Sequence, residues 1–309
     1  MRVIRPLSGD AAPGPTALTL GNFDGVHRGH QALLGAVREL AERLGVMPAV
    51  ALFEPQPQEF FAPAEAPRRL YPLREKLATL RALGLPLVAV LPFRATLAAM
   101  EPAPFVRQLL LRQLQARGLL IGDDWRFGRG RAGDYALLQG LQQEHGFALQ
   151  RADTVAAAGE RISSTRIRAA LAAGDAAQAA ALLGRDYALR GRVVHGAKRG
   201  RELGFPTANV RLRHAPPLCH GVWACWLDDA PAVANYGLRP SVDGLVESLE
   251  VHQLQGAPDL YNRWVRVRFG AHLRPEQRFD DLDALAAQIR RDAEQARQWH
   301  RTHTSSAPD

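Results

Sequence analysis

The chain has 309 residues, which suggests about two domains of ordinary size. Hydrophobic residues make up 47% of it and charged residues 23%, and these fractions exclude a disordered, collagen-like or coiled-coil protein. The net charge of +8 favours polyanionic ligands, either nucleotide phosphates or nucleic acid. The longest uncharged apolar stretch is too short to span a bilayer, and the two cysteines form no metal-ligand pattern. We therefore predict a cytoplasmic protein.

The first part of the chain alternates short apolar runs with amphipathic helical patterns. Strands are predicted at 16–20, 49–53, 87–91, 119–121 and about 148–154, and helices at 30–44, 72–83, 105–115 and 135–145. Such alternation indicates an α/β domain with a doubly wound parallel sheet, covered by helices on both faces. Two short helices, divided by Gly174-Asp175, are predicted between residues 164 and 183.

After Gly184 the pattern changes to short alternating segments separated by turn residues, which indicates a small antiparallel β-barrel. Its strands are predicted at 187–195, 208–212, 222–227, 233–236, 247–254 and 264–269, followed by a helix over 282–298. We place the domain boundary between residues 184 and 185, which gives domains of 1–184 and 185–309.

A glycine-rich turn between the first strand and the first helix holds the first candidate site. Its glycines permit a tight turn, and the helix N-terminus that follows attracts phosphate. His27 and His30 are three residues apart and would face the same spot, where they can donate hydrogen bonds to oxygens that gain charge. A structural histidine pair is the alternative, whereas a zinc site lacks a third ligand nearby.

This turn, Gly21-Asn22-Phe23-Asp24-Gly25-Val26-His27-Arg28-Gly29-His30, resembles the HxGH signature of the nucleotidylyltransferase superfamily. The full string is similar to the adenylyltransferase half of bacterial bifunctional riboflavin kinase/FAD synthetases. The resemblance implies that His27 and His30 are catalytic. It also implies that ATP is bound by the residues of the turn itself: Gly21, Asn22, Phe23, Asp24, Gly25 and Gly29.

Three later segments agree with this resemblance. The string FEPQP places Gln56 where the family usually has histidine, and Gln56 is left out of the catalytic set because it carries no charge. The string GDDWRFG is similar to the family's G-x-D-F-R-F-G and implies a nucleotide-binding role for Asp124. The string RISSTRIR resembles [I/V]SST-x-IR and implies that phosphate is held by Ser163, Ser164, Thr165 and Arg168. The alternative is that the serines only cap a helix and the arginine is solvated.

A second glycine-rich string, Gly128 to Gly133, fits the GxGxxG dinucleotide-binding pattern. It does not follow its strand directly, and we interpret it as a flexible, exposed turn. No GxxxxGK[ST] loop occurs in the chain, which excludes a P-loop NTPase.

The second candidate site begins in the segment from Gly191 to Val210. Taken alone, its Gly/Arg-rich loop is typical of a flexible turn, and PTAN of a turn before a strand. As a whole, however, G-x-V-x-x-G…GR-x-LGFPTANV looks like the riboflavin kinase signature. The resemblance implies phosphate binding by Gly196, Lys198, Gly204, Thr207 and Asn209. Thr207 and Asn209 would also bind Mg²⁺, since hydroxyl and amide oxygens are hard ligands.

The kinase's catalytic carboxylate is also implied by resemblance. The string Leu249-Glu250-Val251-His252 is similar to the family's [V/M]E-x-H, and this implies that Glu250 is the general base. Glu247 lies outside the motif, and strand alternation puts it on the opposite face. The chain departs from the family's usual pattern at Tyr236, Ser241, Gln255 and Asn262.

The resemblance covers about residues 16–297 and implies a bifunctional enzyme of flavin cofactor synthesis. Riboflavin would be phosphorylated by ATP to FMN, and FMN adenylylated by ATP to FAD with release of pyrophosphate. The implied cofactor is Mg²⁺, with riboflavin, FMN, FAD and ATP as partners, without nucleic acid or membrane; the oligomeric state is not indicated. Two alternatives remain open. The first is an adenylyltransferase with another substrate and a non-catalytic barrel. The second is an RNA- or DNA-binding module, although the sequence lacks the aromatic stacking pattern that such a surface usually needs.

Overall fold

A computed structural model describes residues 1–122, 124–157, 159–196, 204–241, 244–256 and 258–303. The chain divides into two compact units. The first unit contains Met1–Pro67 and Leu73–Ile162, and the second contains Arg68–Pro72 and Ser163–Asp309. Within the described residues, no helix combines the length and apolar character needed to cross a membrane.

The first unit is built on a six-stranded parallel sheet in the order β1-β4-β3-β2-β5-β6. Its strands are β1 Arg2–Ile4, β2 Thr16–Gly21, β3 Met47–Glu54, β4 Leu87–Pro92, β5 Ala116–Gly122 and β6 Ala148–Ala152. A two-stranded antiparallel ladder, β7 Ala156–Ala157 with β8 Glu160–Arg161, follows. All the strands predicted for this sheet are confirmed, whereas β1, β7 and β8 were not predicted.

Helices cover both faces of this sheet, as predicted. The α-helices of the unit are α1 Arg28–Leu44, α2 Pro57–Phe61, α3 Leu73–Ala82, α4 Ala95–Ala98, α5 Pro102–Pro104 and α6 Tyr135–His145, with a π-helix at Phe105–Gln113. Alternate residues of one strand fill two separate cores: Ala51 and Phe53 of β3 belong to one, Val50 and Leu52 to the other. A strand buried on both faces must be apolar throughout, which explains the continuous apolar runs in the sequence.

The second unit contains a closed antiparallel barrel in the order β10-β13-β12-β11-β14-β9. Its strands are β9 Ala188–Val194, β10 Ala208–Arg211, β11 Gly221–Leu227, β12 Ala230–Ser241, β13 Gly244–Gln253 and β14 Trp264–Arg274. All six predicted strands are confirmed, although β12 and β13 are longer than expected. Closure leaves the sheet without an open edge, and the interior is filled by large side chains such as Trp223 and Phe269.

Three helices and one short segment pack with the barrel in the second unit. The helices are α7 Ser164–Ala172, α8 Ala176–Leu183 and α9 Leu282–Thr302. Helix α9 is fixed to β14 by a partly buried ion pair, in which Arg274 donates to both carboxylate oxygens of Asp292 at 2.8 and 2.7 Å. In the segment Arg68–Pro72, Tyr71 stacks on Tyr187, whose hydroxyl donates to the Leu70 carbonyl at 3.1 Å.

Candidate functional site

The first group of predicted residues lies at the carboxyl edge of the parallel sheet. Strands β3, β2 and β5 are neighbours in that order, and they end at Glu54, Gly21 and Gly122. The histidine turn follows β2, and Asp124 follows β5. Because ligands of open α/β sheets bind outside the carboxyl ends of the strands, this edge is the expected place for a nucleotide.

The two histidines of the turn lie against each other. Their ring centroids are 3.7 Å apart, with the rings inclined by 20°. His27 precedes α1 as its N-cap, and its Nδ1 accepts a hydrogen bond from the His30 backbone N–H at 3.3 Å. Because Nδ1 accepts, the ring proton of neutral His27 is on Nε2, which is therefore the donor nitrogen. A Cβ at position 29 would lie 3.2 Å from the His27 ring, so any residue larger than glycine would crowd this ring.

The backbone of the turn is held in an uncommon conformation. Phe23 and Val26 have left-handed φ values of +46° and +43°. The Phe23 ring stacks on the His30 ring, with the two ring centroids 4.6 Å apart. Such backbone strain persists where the surroundings fix it, and it clusters at functional sites.

A buried lysine, missed in the sequence analysis, helps to fix this turn. Lys76 of α3 is fully buried, and its Nζ donates to the Asn22 carbonyl at 3.1 Å. Asp24 of the same turn is a second buried charged side chain. Charged side chains are rarely buried without a partner. The one sign of Lys76 in the sequence is therefore its position as a charged residue on the apolar face of a predicted amphipathic helix.

The other predicted nucleotide-site residues are divided between the two units. In the first unit, Arg161 donates to Asp124 at 2.8 Å, and this hydrogen bond lowers the pKa of the Asp124 carboxyl. In the second unit, Ser163 is the N-cap of α7, with its Oγ accepting from the Arg166 N–H at 3.3 Å. Arg168 of α7 donates from Nε to the Arg68 carbonyl at 2.7 Å. Ser164 and Thr165 form the first turn of α7.

Gln56 follows β3 at the carboxyl edge of the sheet and is 6% exposed. Its backbone N–H donates to Glu59 Oε2 at 2.8 Å. Within the described residues, its side-chain Nε2 has no hydrogen-bond partner. A buried amide donor of this kind costs stability unless a ligand accepts its hydrogen bond.

Described residues of the second unit line two cavities of about 310 Å³ each. We name them by one residue that lines each. The Glu250 cavity is lined by residues that include Phe205, Thr207, Asn235, Glu250, His252, Arg274 and Asp292. The Leu260 cavity is lined by residues that include Pro206, Thr207, Ala208, Gln253, Leu260 and Tyr261. Thr207 lines both cavities.

The two glutamates of β13 have different surroundings, as strand alternation predicted. Glu250 lines the Glu250 cavity. Glu247 instead accepts a hydrogen bond from the Tyr236 hydroxyl and pairs with Arg68 at 2.7 Å. Burial and the hydrogen bond to Glu247 raise the pKa of Tyr236. Glu247 thus holds a structural contact between β12 and the segment Arg68–Pro72.

The predicted metal ligands lie at the start of β10 and just before it. Asn209 packs closely on Gly196, where a Cβ would lie 2.3 Å from Asn209 Nδ2, so no larger residue fits without a shift. The side-chain oxygen of Asn209 accepts from Arg239 at 3.4 Å. Gly204 precedes them with a left-handed φ of +82°, whereas Lys198 lies outside the described residues. In the described part of the chain, no cluster of three His, Cys, Asp or Glu side chains could hold a metal.

Comparison with known proteins covers both units. A family model described as FAD synthetase matches residues 10–166, and one described as riboflavin kinase matches residues 183–300. The bifunctional riboflavin kinase/FMN adenylyltransferase of Escherichia coli K12 is 47% identical over 287 residues, covering 91% of this chain and 92% of that protein. The chain belongs to this family of bifunctional riboflavin kinase/FMN adenylyltransferases. The resemblance inferred from the sequence is thereby confirmed.

Further relatives agree on the family and on the fold. The enzyme of the same name from Pseudomonas fluorescens is 46% identical over 284 residues, covering 90% of this chain and 91% of that protein. A solved structure named as a macrolide-efflux protein from Streptococcus pneumoniae is 27% identical, with a TM-score of 0.82 over 96% of this chain and 99% of that one. The two-unit architecture is therefore shared along nearly the whole chain.

Proposed function

We propose that this chain phosphorylates riboflavin to FMN and then adenylylates FMN to FAD, with ATP as the co-substrate of both steps. The observation that carries this proposal is that both family modules occur in one chain, each with its own group of polar residues. An adenylyltransferase with a non-catalytic barrel would not need a carboxylate such as Glu250 in a cavity of the barrel.

For adenylylation, the FMN phosphate attacks the α-phosphorus of ATP, and the bond to pyrophosphate breaks. We propose that His27 and His30 donate hydrogen bonds to the oxygens that gain charge in this transition state. The turn backbone and the N-terminus of α1 bind phosphate, because they present N–H groups and the positive end of the helix dipole. Asp124, Ser163, Ser164, Thr165 and Arg168 remain proposed nucleotide-binding residues.

For phosphorylation, we propose that the riboflavin ribityl chain lies in the Glu250 cavity. Glu250 accepts the proton of the 5′-hydroxyl as its oxygen bonds to the γ-phosphorus of ATP, and ADP leaves. ATP would then bind at the Leu260 cavity. Thr207 lines both cavities, which supports a transfer of the phosphoryl group at this residue.

Mg²⁺ fits the donor atoms of the proposed kinase site. Thr207 and Asn209 supply neutral oxygens, and Mg²⁺ commonly takes its remaining ligands from substrate phosphates and water. Bound there, Mg²⁺ would neutralise charge on the transferred phosphate. Gly196, Lys198 and Gly204 are proposed to bind the ATP phosphates beside it.

The boundary of the two activities is proposed to fall between residues 184 and 185. The riboflavin kinase family match, which starts at residue 183, supports it. Helices α7 and α8, which precede this boundary, nevertheless pack within the second unit. The use of ATP in both reactions supports the proposed cytoplasmic location.

The deciding experiment incubates the purified chain with riboflavin, ATP and Mg²⁺ and separates the flavins by chromatography. FMN should appear first and FAD afterwards, and chelation of Mg²⁺ should stop both. A second incubation starts from FMN and ATP. Formation of FAD from FMN without any FMN from riboflavin would contradict the kinase half of the proposal.

A further inference from the structure

His252 is the second polar residue of the E-x-H string, and the proposed reaction gives it no role. It lies on β13 two residues after Glu250, so the two side chains are on the same face of the strand. Both line the Glu250 cavity. His252 Nδ1 lies 2.9 Å from the carbonyl oxygen of Pro206, and its ring meets the Phe205 ring edge-to-face at 5.3 Å.

The direction of this hydrogen bond follows from its chemistry. A carbonyl oxygen can only accept, so Nδ1 carries the proton and donates. The carbonyl that it holds belongs to the residue directly before Thr207. Thus β13, which carries the proposed base, also holds the segment that carries a proposed Mg²⁺ ligand.

The segment at Pro206 lies just outside the strand ladder, where side-chain contacts can hold it. Strand β10 begins at Ala208, whose partner on β13 is Val251, so Phe205, Pro206 and Thr207 precede the strand ladder. Pro206 has no backbone N–H to donate. The His252 hydrogen bond and its contact with Phe205 fix this approach to the ladder.

We propose that His252 is a positioning residue of the kinase site, which holds the Pro206 carbonyl and thereby keeps Thr207 at the wall between the two cavities. This inference rests on the proposed kinase function. Displacing a group by about 1 Å at a reacting centre can cost about 100-fold in rate. His252 itself transfers no proton in the reaction.

The test compares two replacements of similar size. In His252→Asn, the amide nitrogen can occupy the position of Nδ1 and donate to Pro206, whereas His252→Leu has no donor. The exposed His214 supplies a matched control, His214→Leu. For each variant, kcat and the KM values for riboflavin and Mg-ATP are measured with riboflavin as substrate, and adenylylation of supplied FMN is measured in parallel.

We expect His252→Leu to lower kcat of riboflavin phosphorylation about 10- to 100-fold and to raise the Mg²⁺ concentration needed for half-maximal rate. His252→Asn should stay closer to the wild-type rate than His252→Leu, because its amide N–H still donates to the Pro206 carbonyl. Adenylylation of FMN should not change in either variant. A wild-type rate in His252→Leu would overturn the proposal, and so would equal defects in the Leu and Asn variants.

A spectroscopic measurement covers the case in which His252→Leu does not fold. Nitrogen-15 NMR of histidine-labelled wild-type enzyme, with His252→Asn to assign the signal, should show the neutral tautomer protonated on Nδ1. Protonation on Nε2 alone would overturn the proposal. A wild-type enzyme that does not phosphorylate riboflavin would instead refute the proposed function. Failure of the His252 proposal and failure of the proposed function are therefore distinguishable.

Discussion

Glu250 lies directly opposite Asn209 across the antiparallel strands β13 and β10, and opposite Asn235 across β13 and β12. Directly opposed residues of antiparallel strands have Cβ atoms about 4.5–5.5 Å apart on one face. The proposed base and a proposed metal ligand are therefore fixed in one row of a closed barrel. Phosphoryl transfer depends mainly on such positioning and on charge stabilisation, so a rigid row is well suited to it.

Glu250→Gln should lower FMN formation from riboflavin by roughly 100- to 10,000-fold, the usual range for loss of a general acid or base. Supplied FMN should still be converted to FAD. Flavin chromatography with each starting substrate measures both rates.

Glu247→Gln is the matched control for that change. It removes a carboxylate of the same strand that pairs with Arg68 and Tyr236 and does not line the Glu250 cavity. We expect a lower melting temperature and a riboflavin phosphorylation rate within about 5-fold of wild type. A larger rate loss in Glu247→Gln than in Glu250→Gln would show that the base is Glu247.

Substitutions of His27 can separate helix capping from catalysis. His27→Asn keeps a good N-cap residue, whereas His27→Ala removes the cap and should cost about 1 kcal/mol of stability. Both should lower FAD formation about 100- to 1000-fold, because each loses the imidazole donor. FMN formation should stay within a few fold. Near wild-type FAD formation in His27→Asn, with a defect in His27→Ala, would mean that His27 acts only as a cap.

Secondary-structure elements were predicted correctly where their hydrophobic period or apolar run is long. Strand β3 was predicted from the continuous apolar run within it, whereas the three-residue strand β1 is too short to show any period. Strand β12 was predicted only over residues 233–236, yet its pairing with β13 continues to Ser241, past Gly237 and Pro240, residue types that commonly interrupt strands.

Local strings in the sequence carry the proposed site residues, whereas contacts between distant parts of the chain do not show in it. Lys76 and His252 act through the carbonyls of Asn22 and Pro206, which lie 54 and 46 residues away in the chain. Such contacts depend on tertiary packing, and no local pattern reports them. The two histidines of the turn, in contrast, needed only their spacing at a helix start to be placed together.

Gln56→Met should affect adenylylation more than stability. It removes an unpaired buried donor, which stabilises the fold, and a side-chain acceptor that caps α2, which destabilises it, and each effect is about 1 kcal/mol. The melting temperature should therefore change by less than about 4 °C. If Gln56 Nε2 donates to a substrate phosphate, adenylylation should fall about 10- to 100-fold. Gln56→Glu, of equal size but without the donor, should impair adenylylation further, because its charge repels phosphate. Unchanged adenylylation in both variants would show that Gln56 does not contact substrate.

The last prediction concerns which part of the chain can form the kinase alone. Fragments of residues 185–309 and 163–309 are compared by thermal melting, monitored by circular dichroism, and by riboflavin phosphorylation. Both should fold and make FMN, and neither should make FAD. The longer fragment should melt at least about 10 °C higher, since α7 and α8 bury Leu171, Leu182 and Leu183, and each buried leucine contributes about 1.5–3 kcal/mol.

Both fragments lack the segment Arg68–Pro72, which covers Tyr187 in the intact chain. They should therefore melt below the kinase transition of the full-length protein. Tyr187→Phe should lower the melting temperature of the fragments less than that of the intact chain, where the Tyr187 hydroxyl donates to the Leu70 carbonyl. Equal melting of the two fragments would show that α7 and α8 add nothing to the barrel. A fragment 185–309 that folds but does not phosphorylate riboflavin would place part of the kinase site before residue 185.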